Sequence, residues 1–269
     1  MRKALTLAPV LALALAAGLL SGCAGTSGRV SESGAPEKPR TEARSGKEEI
    51  SLTPYLKEVA AQSSSNHEYA DAANYWQAIY ESDPTNMDVA FKFANNLRLA
   101  GDPRGAITLL GQVLNARPDD PEVLGERGKA YAADNQFALA LADIDKALQK
   151  AGQNWNLHSS RGIILDRLNR ALDAEAAYKQ ALAISPGNPK ILNNMALSVA
   201  LAGRHDEAVT LLRQAAKHPE ATAQIRQNLS MLLAMKGDIS EAEQLVRADL
   251  PQAMSENNMA FYRSLNPIP

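Results

Sequence analysis

The chain has 269 residues, of which 45% are hydrophobic and 22% charged, the composition of a folded protein rather than a disordered or fibrous one. Its 28 basic and 30 acidic residues nearly cancel to a net charge of −2, and aromatics make up only 5%. The sequence therefore supplies neither the clustered basic face nor the stacking rings on which nucleic-acid binding depends, and its one Cys excludes a disulfide within the chain.

At the N-terminus, Arg2 and Lys3 precede an apolar run rich in Leu and Ala over residues 4–20, and small residues follow, as in an export signal. The run ends in Leu20-Ser21-Gly22-Cys23, which resembles the lipobox of bacterial lipoproteins. That resemblance implies that residues 1–22 are a signal peptide removed before Cys23, whose thiol carries diacylglycerol and whose new amine is acylated. Burial of about 0.8 kcal/mol per CH₂ makes one acyl chain a marginal anchor and three a stable one. Ala24, rather than Asp, follows Cys23, and by the sorting rule of enteric lipoproteins this resembles an outer-membrane destination facing the periplasm. The competing reading is an uncleaved anchor helix with an incidental Cys; the run is short for a span and contains Pro9.

Residues 23–50 then form a lipidated Cys and a tether. Ser, Gly, Pro and interspersed charges leave no apolar periodicity, so the segment buries too little surface to offset chain entropy. As a flexible coil its root-mean-square reach is on the order of 30 Å.

From residue 51 to 250 the sequence repeats every 34 residues, with copies beginning at Thr53, Met87, Pro121, Trp155, Pro189 and Ala223. Position 20 of each copy is Ala72, Ala106, Ala140, Ala174, Ala208 and Ala242. Position 8 is also small: Ala60, Ala94, Gly128, Gly162, Ala196 and Ser230. Small side chains in both columns let two helices of one copy approach closely. Position 24 is large and apolar throughout, from Trp76 through Leu110, Ile144, Tyr178 and Leu212 to Val246, and fills the space between copies.

Position 15 is His67, Gly101, Asn135, Asn169, Gly203 and Gly237, mostly residues that tolerate the left-handed conformation closing a helix. Asp120-Pro121 and Asn188-Pro189 supply an N-cap followed by Pro at the first helical position. A 34-residue helix–turn–helix period resembles the tetratricopeptide repeat. The resemblance implies an all-α, right-handed solenoid of about six repeats. The last copy departs from the pattern at Asp249, where the others carry Ile79, Val113, Ala147, Ala181 and Ala215. In residues 251–269 a further helix over 255–265 is expected, with Met259, Phe261, Tyr262 and Leu265 covering the open end of the stack.

No catalytic motif stands out. His67, His158, His205 and His218 lie in four different repeats without metal-ligand spacing, and no phosphate-binding loop or nucleophile elbow is present, so neither an enzyme nor a cofactor or metal site is expected. Arg127 and Arg161 occupy position 7, where Leu is usual, and buried arginine needs a partner; Asp143, Asp145 and Asp166 are candidates for structural ion pairs.

Partner binding is expected on the concave face, which first-helix positions 2, 5, 9, 12 and 13 line in this fold. Repeats two to four carry mixed charge there, including Asp88, Arg98, Glu122, Lys129, Asp166 and Arg167. From Ile163 onward, Leu197, Leu201, Met231 and Met235 form an apolar floor, with Arg167 and Asn193 beside it. Flexible Met suits an adaptable peptide groove. The bland alternative is that superhelical curl or the capping helix buries these side chains.

The pattern Gly203-Arg204, Glu207-Ala208, Leu211-Leu212, with a closing Arg247 to Leu250 segment and Phe261-Tyr262-Arg263, resembles the TadD-like lipoproteins of the Tad/Flp (tight-adherence) pilus assembly system. Those are regarded as pilotin-like helpers of the outer-membrane secretin. The resemblance implies an outer-membrane adaptor with protein partners, a secretin or another pilus-assembly component, reached through a lipid anchor and with no small-molecule substrate. The alternative with the same fold and anchor is a scaffold for cell-wall enzymes or outer-membrane protein assembly.

Overall fold

The computed structural model describes residues 52–265; the signal peptide, Cys23 and the tether lie outside the described residues. Every predicted repeat start is the first residue of a helix. The first helices are α1 (Thr53–Ser65), α3 (Met87–Leu99), α5 (Pro121–Ala133), α7 (Trp155–Arg167), α9 (Pro189–Leu201) and α11 (Ala223–Lys236). Each is followed by a second helix: α2 (Tyr69–Ser82), α4 (Pro103–Ala116), α6 (Phe137–Lys150), α8 (Ala171–Ile184), α10 (His205–Ala216) and α12 (Ile239–Asp249). A thirteenth helix, α13 (Gln252–Leu265), ends the described chain, and no strand occurs among the described residues.

Local chemistry sets these boundaries. Side chains of Asn86, Asp120, Asn154 and Asn188 accept hydrogen bonds from backbone N–H groups in the first turns of α3, α5, α7 and α9, and Asp102 does the same for α4. At the hairpin turn all six position-15 residues have positive φ, from 59° at Asn169 to 94° at Gly237. His67 at 66° is therefore unusual in residue type but not in conformation.

The two small-residue columns are buried as expected. All six position-20 alanines are 0% exposed, so the second helix of each hairpin lies directly against the first. Across that contact the Ser230 hydroxyl donates to the Ala242 carbonyl at 3.0 Å. Position 24 is equally covered, with Ile144, Tyr178, Leu212 and Val246 each 0% exposed. Beside the position-24 tyrosine, position 8 has no side chain: a Cβ built on Gly162 would stand 2.5 Å from Tyr178 Cε1 and 2.7 Å from Cζ.

Both arginines at position 7 are held by carboxylates. Arg127 forks onto Asp143 with contacts of 2.7 and 2.9 Å within its own repeat, while Arg161 reaches Asp145 of the preceding repeat at 2.7 Å. Asp166 serves neither. In the last repeat, Asp249 is matched by a change on the facing helix. Position 4 is Leu192 one repeat earlier but Arg226 here, and its guanidinium binds both Asp249 oxygens at 2.7–2.9 Å. An apolar pair has been exchanged for an ion pair at the same place in the hairpin.

The capping helix begins immediately after Pro251, three residues earlier than expected. Met259 and Tyr262, 3% and 5% exposed, join the core of the last repeats and close its end. Phe261 corrects the expectation: it is 46% exposed, because α13 turns only one face to α11 and α12 and Phe261 lies off that face.

Two stability outcomes follow from these pairings. Gly162→Ala is expected to cost about 1–3 kcal/mol in urea unfolding, since the buried Tyr178 ring has no free space to retreat into. Adding Tyr178→Leu, the residue found at position 24 of the next repeat, should recover part of that loss; no recovery would show that the ring is not the obstacle. Asp249→Ala should cost about 1.5–3 kcal/mol by stranding the Arg226 guanidinium, whereas Arg226→Leu with Asp249→Ala restores the apolar pairing of the previous repeat and should be close to neutral. A double variant as unstable as the single one would contradict this account.

Candidate protein-interaction surface

First helices of successive repeats pack on one another from α3 to α11 and are linked by side chains between α1 and α3, whereas second helices of successive repeats meet at most weakly. The row whose members touch is the shorter, inner side of a curved stack. Side chains from α1, α3, α5, α7, α9 and α11 therefore line one continuous inner face.

Hydrogen bonds stitch much of that face together. Ser64 donates to Asn96 at 3.0 Å between repeats one and two, and the equivalent step between repeats four and five is Ser198 to Asp166 at 2.7 Å. Tyr178 reaches the other Asp166 oxygen at 2.9 Å from the second helix. Further along, Asn194 donates to Ser159 at 3.2 Å and Asn228 to Asn193 at 2.8 Å, with Gln224 donating to Asn228 at 3.1 Å. The expected groove residue Asn193 is thus a link in an amide ladder running across repeats four to six.

Burial raises the Asp166 pKa from its ordinary 3.8, while the bonds from Ser198 and Tyr178 and the charge of Arg167 oppose the rise. The folded chain therefore holds that proton more tightly than the unfolded chain does. The neutral carboxyl's contribution to stability is full below the ordinary value and is lost as pH rises through the elevated one.

The apolar floor expected over repeats four to six is mostly consumed by packing. Leu197 is only 6% exposed, which corrects the expectation that stacking leaves its column free: the neighbouring first helices lie close enough to cover it. Met231 and Met235 are partly buried and pack against the core of the last repeats, as does Ile163 from the other side. Leu201, at the end of α9, is 41% exposed.

An open cleft lies instead nearer the N-terminal end of the described array. Ile163 and Arg167 line it together with Arg98, Lys129, Ala132 and Phe137, around a volume of about 160 Å³. Two of the expected residues are thus brought together, but with partners from repeats two and three rather than five and six. Arg98 and Lys129 stand in inner-face columns of the sequence, but their charge alternates with Asp88 and Glu122, which masks the local excess. Phe137, the first residue of α6, carried no signal, because position 17 is Tyr, Pro, Phe, Ala, His and Ile in the six copies.

Among the described residues no group of three metal-ligating side chains occurs, and no helix is long and apolar enough to cross a membrane. Sequence models of the tetratricopeptide repeat match residues 64–130, 126–189 and 193–255. The chain belongs to the tetratricopeptide-repeat family. Solved tetratricopeptide proteins share the fold. One from Thermus thermophilus aligns with a TM-score of 0.62 at 20% identity, over 67% of this chain and 98% of that one. Another, from Parabacteroides merdae, aligns at 0.65 and 13% identity, over 80% of this chain and 86% of that one. Among curated proteins, cellulose synthase operon protein C of Pseudomonas fluorescens is 32% identical over 124 residues. That match spans 46% of this chain but only 10% of the relative. Tetratricopeptide arrays are protein–protein interaction scaffolds, and this chain has the fold and inner face of one.

The Asp166 linkage gives a direct check. In urea unfolding at a series of pH values starting below 3.8, the stability of the native chain relative to Asp166→Asn is expected to fall as pH rises above that value. Parallel curves for the two proteins would place the titration elsewhere.

Proposed function

We propose that the chain is an adaptor held on the periplasmic face of the outer membrane by lipid on Cys23. A tether over residues 23–50 links that anchor to the interaction scaffold. The scaffold, residues 51–250 with the cap in 251–269, receives a segment of a partner protein on its inner face. In this reading the partner belongs to a tight-adherence pilus assembly machine, and the adaptor serves its secretin in a pilotin-like way. The observation that carries the interaction half is the open cleft on an otherwise hydrogen-bonded inner face. The anchor rests on the Leu20 to Cys23 segment, and the pilus assignment on the resemblance at Gly203 to Leu212 and Arg247 to Leu250.

A second reading keeps the fold and the anchor but changes the client: a scaffold for other envelope machinery, such as cell-wall enzymes or outer-membrane protein assembly. The identity to cellulose synthase operon protein C favours it, since that tetratricopeptide relative is named for an operon other than a pilus one.

Cys23→Ser tests the proposal in fractionated envelopes. The chain is expected to leave the outer-membrane fraction, and the secretin multimer there should fall severalfold. A secretin multimer that stays in place while the adaptor is lost from the membrane would remove the pilotin role. Pull-down from solubilised envelopes then separates the two readings, by recovery of secretin on one side or of hydrolases and barrel-assembly subunits on the other.

A further inference from the structure

The cleft of repeats two to four holds more positive charge than its own residues neutralise. Arg98, Lys129 and Arg167 reach it from three successive first helices, α3, α5 and α7. Lys129 is paired with Glu126 at 2.7 Å. Arg98 donates from Nη2 to the neutral Asn95 side chain at 2.6 Å, and Arg167 leaves its Nε covered from solvent with no hydrogen-bond partner. Neither arginine takes part in a salt bridge among the described residues. The carboxylates whose charge acts on them are already engaged, Glu126 by Lys129 and Asp166 by Ser198 and Tyr178.

An unsatisfied guanidinium N–H in a partly buried place is uncommon in folded chains, because water that once bonded it has been removed without replacement. Burial acts on Arg98 in the same sense and pulls its pKa below the usual guanidinium range, with the charge of Glu126 only partly offsetting this. Both arginines would gain from an anion that enters the cleft. Around them the walls are apolar: Phe137, Ile163 and Ile164.

We propose that this cleft docks an acidic segment of a protein partner, with an Asp or Glu carboxylate seated between Arg167 and Arg98 and a neighbouring apolar side chain packed on Ile163 and Phe137. The inference rests on the reading of the inner face as the partner-binding surface and names the chemistry that surface selects. A guanidinium presents parallel N–H donors at the spacing of the two carboxylate oxygens, and desolvation strengthens the contact. The volume of about 160 Å³ suits side chains of an extended peptide rather than a folded domain. A lipid headgroup would offer similar charge, but a flat bilayer cannot follow the inner side of a curved stack. With a net charge of −2, the chain as a whole offers acidic partners no attraction, so recognition must be local to the cleft.

The test uses the full-length chain in detergent and two capped synthetic peptides, one of alternating Glu and Leu and a counterpart with Gln in place of Glu, followed by fluorescence anisotropy. The Glu peptide is expected to bind at least about tenfold more tightly, with affinity falling as salt is raised. Arg167→Gln should remove most of that preference. Ser160→Tyr, which fills the cleft without changing charge, should block both peptides, and circular dichroism melts confirm that each variant folds. Equal binding of both peptides, lost in Ser160→Tyr, would overturn the acidic preference while leaving the inner face as the docking surface. Binding of neither peptide, or binding indifferent to Ser160→Tyr, would overturn the cleft as the site; the adaptor reading is judged separately by the Cys23→Ser fractionation.

Discussion

The whole array depends on one contact, the approach of a methyl-sized side chain at position 20 to a small residue at position 8. That contact sets the distance between the two helices of every hairpin. It thereby fixes how far each hairpin projects and where the next can lie. All six position-20 alanines are fully buried, so no copy of the repeat relaxes the requirement. Nothing larger is admitted there, whereas columns 4, 7, 24 and 27 of the packed interior do vary.

In those columns substitutions come in matched pairs. Tyr178 is accommodated by the absence of a side chain at Gly162, and its hydroxyl finds Asp166, which in turn holds Ser198 of the next repeat. Arg226 and Asp249 replace an apolar pair with a forked ion pair in the last hairpin. Arg127 and Arg161 each take a carboxylate sixteen residues away along the chain. In every case a group that would be costly if left alone is satisfied locally, so the irregular copies keep the geometry of the regular ones.

The inner face follows a similar rule, with one exception. Between repeats four and six its polar side chains bond one another through Asn194, Asn193 and Asn228, and its apolar ones are drawn into packing, as Leu197 and Met231 are. Repeats two to four leave a gap in which Arg98 and Arg167 lack carboxylate partners beside a partly buried apolar wall. An interaction scaffold recognises by what its surface leaves unsatisfied, and here that is a pair of cations over an apolar floor.

Much of this was legible in the chain. Helix starts at Thr53, Met87, Pro121, Trp155, Pro189 and Ala223, the left-handed turn residues and the buried ladders all follow from a period of one hairpin, because backbone hydrogen bonding and side-chain size act over a few residues and recur with the repeat. The cap was legible in Met259 and Tyr262 but not in Phe261, whose exposure depends on the angle at which α13 docks. Of the expected groove residues, Ile163 and Arg167 line the open cleft, while Leu197 is covered by packing. Whether a position-9 side chain is covered, as at Leu197, or open, as at Ile163, depends on its neighbours across the repeat boundary and on how the helices are inclined there. Likewise Arg98 and Arg167 lie two repeats apart in sequence and share a cleft only because the stack curves. The sequence by itself determined the repeat, its boundaries and its buried columns through local size and hydrogen-bonding requirements. Only the tertiary structure decided which inner-face residues stay unsatisfied, because that balance is struck between side chains more than thirty residues apart.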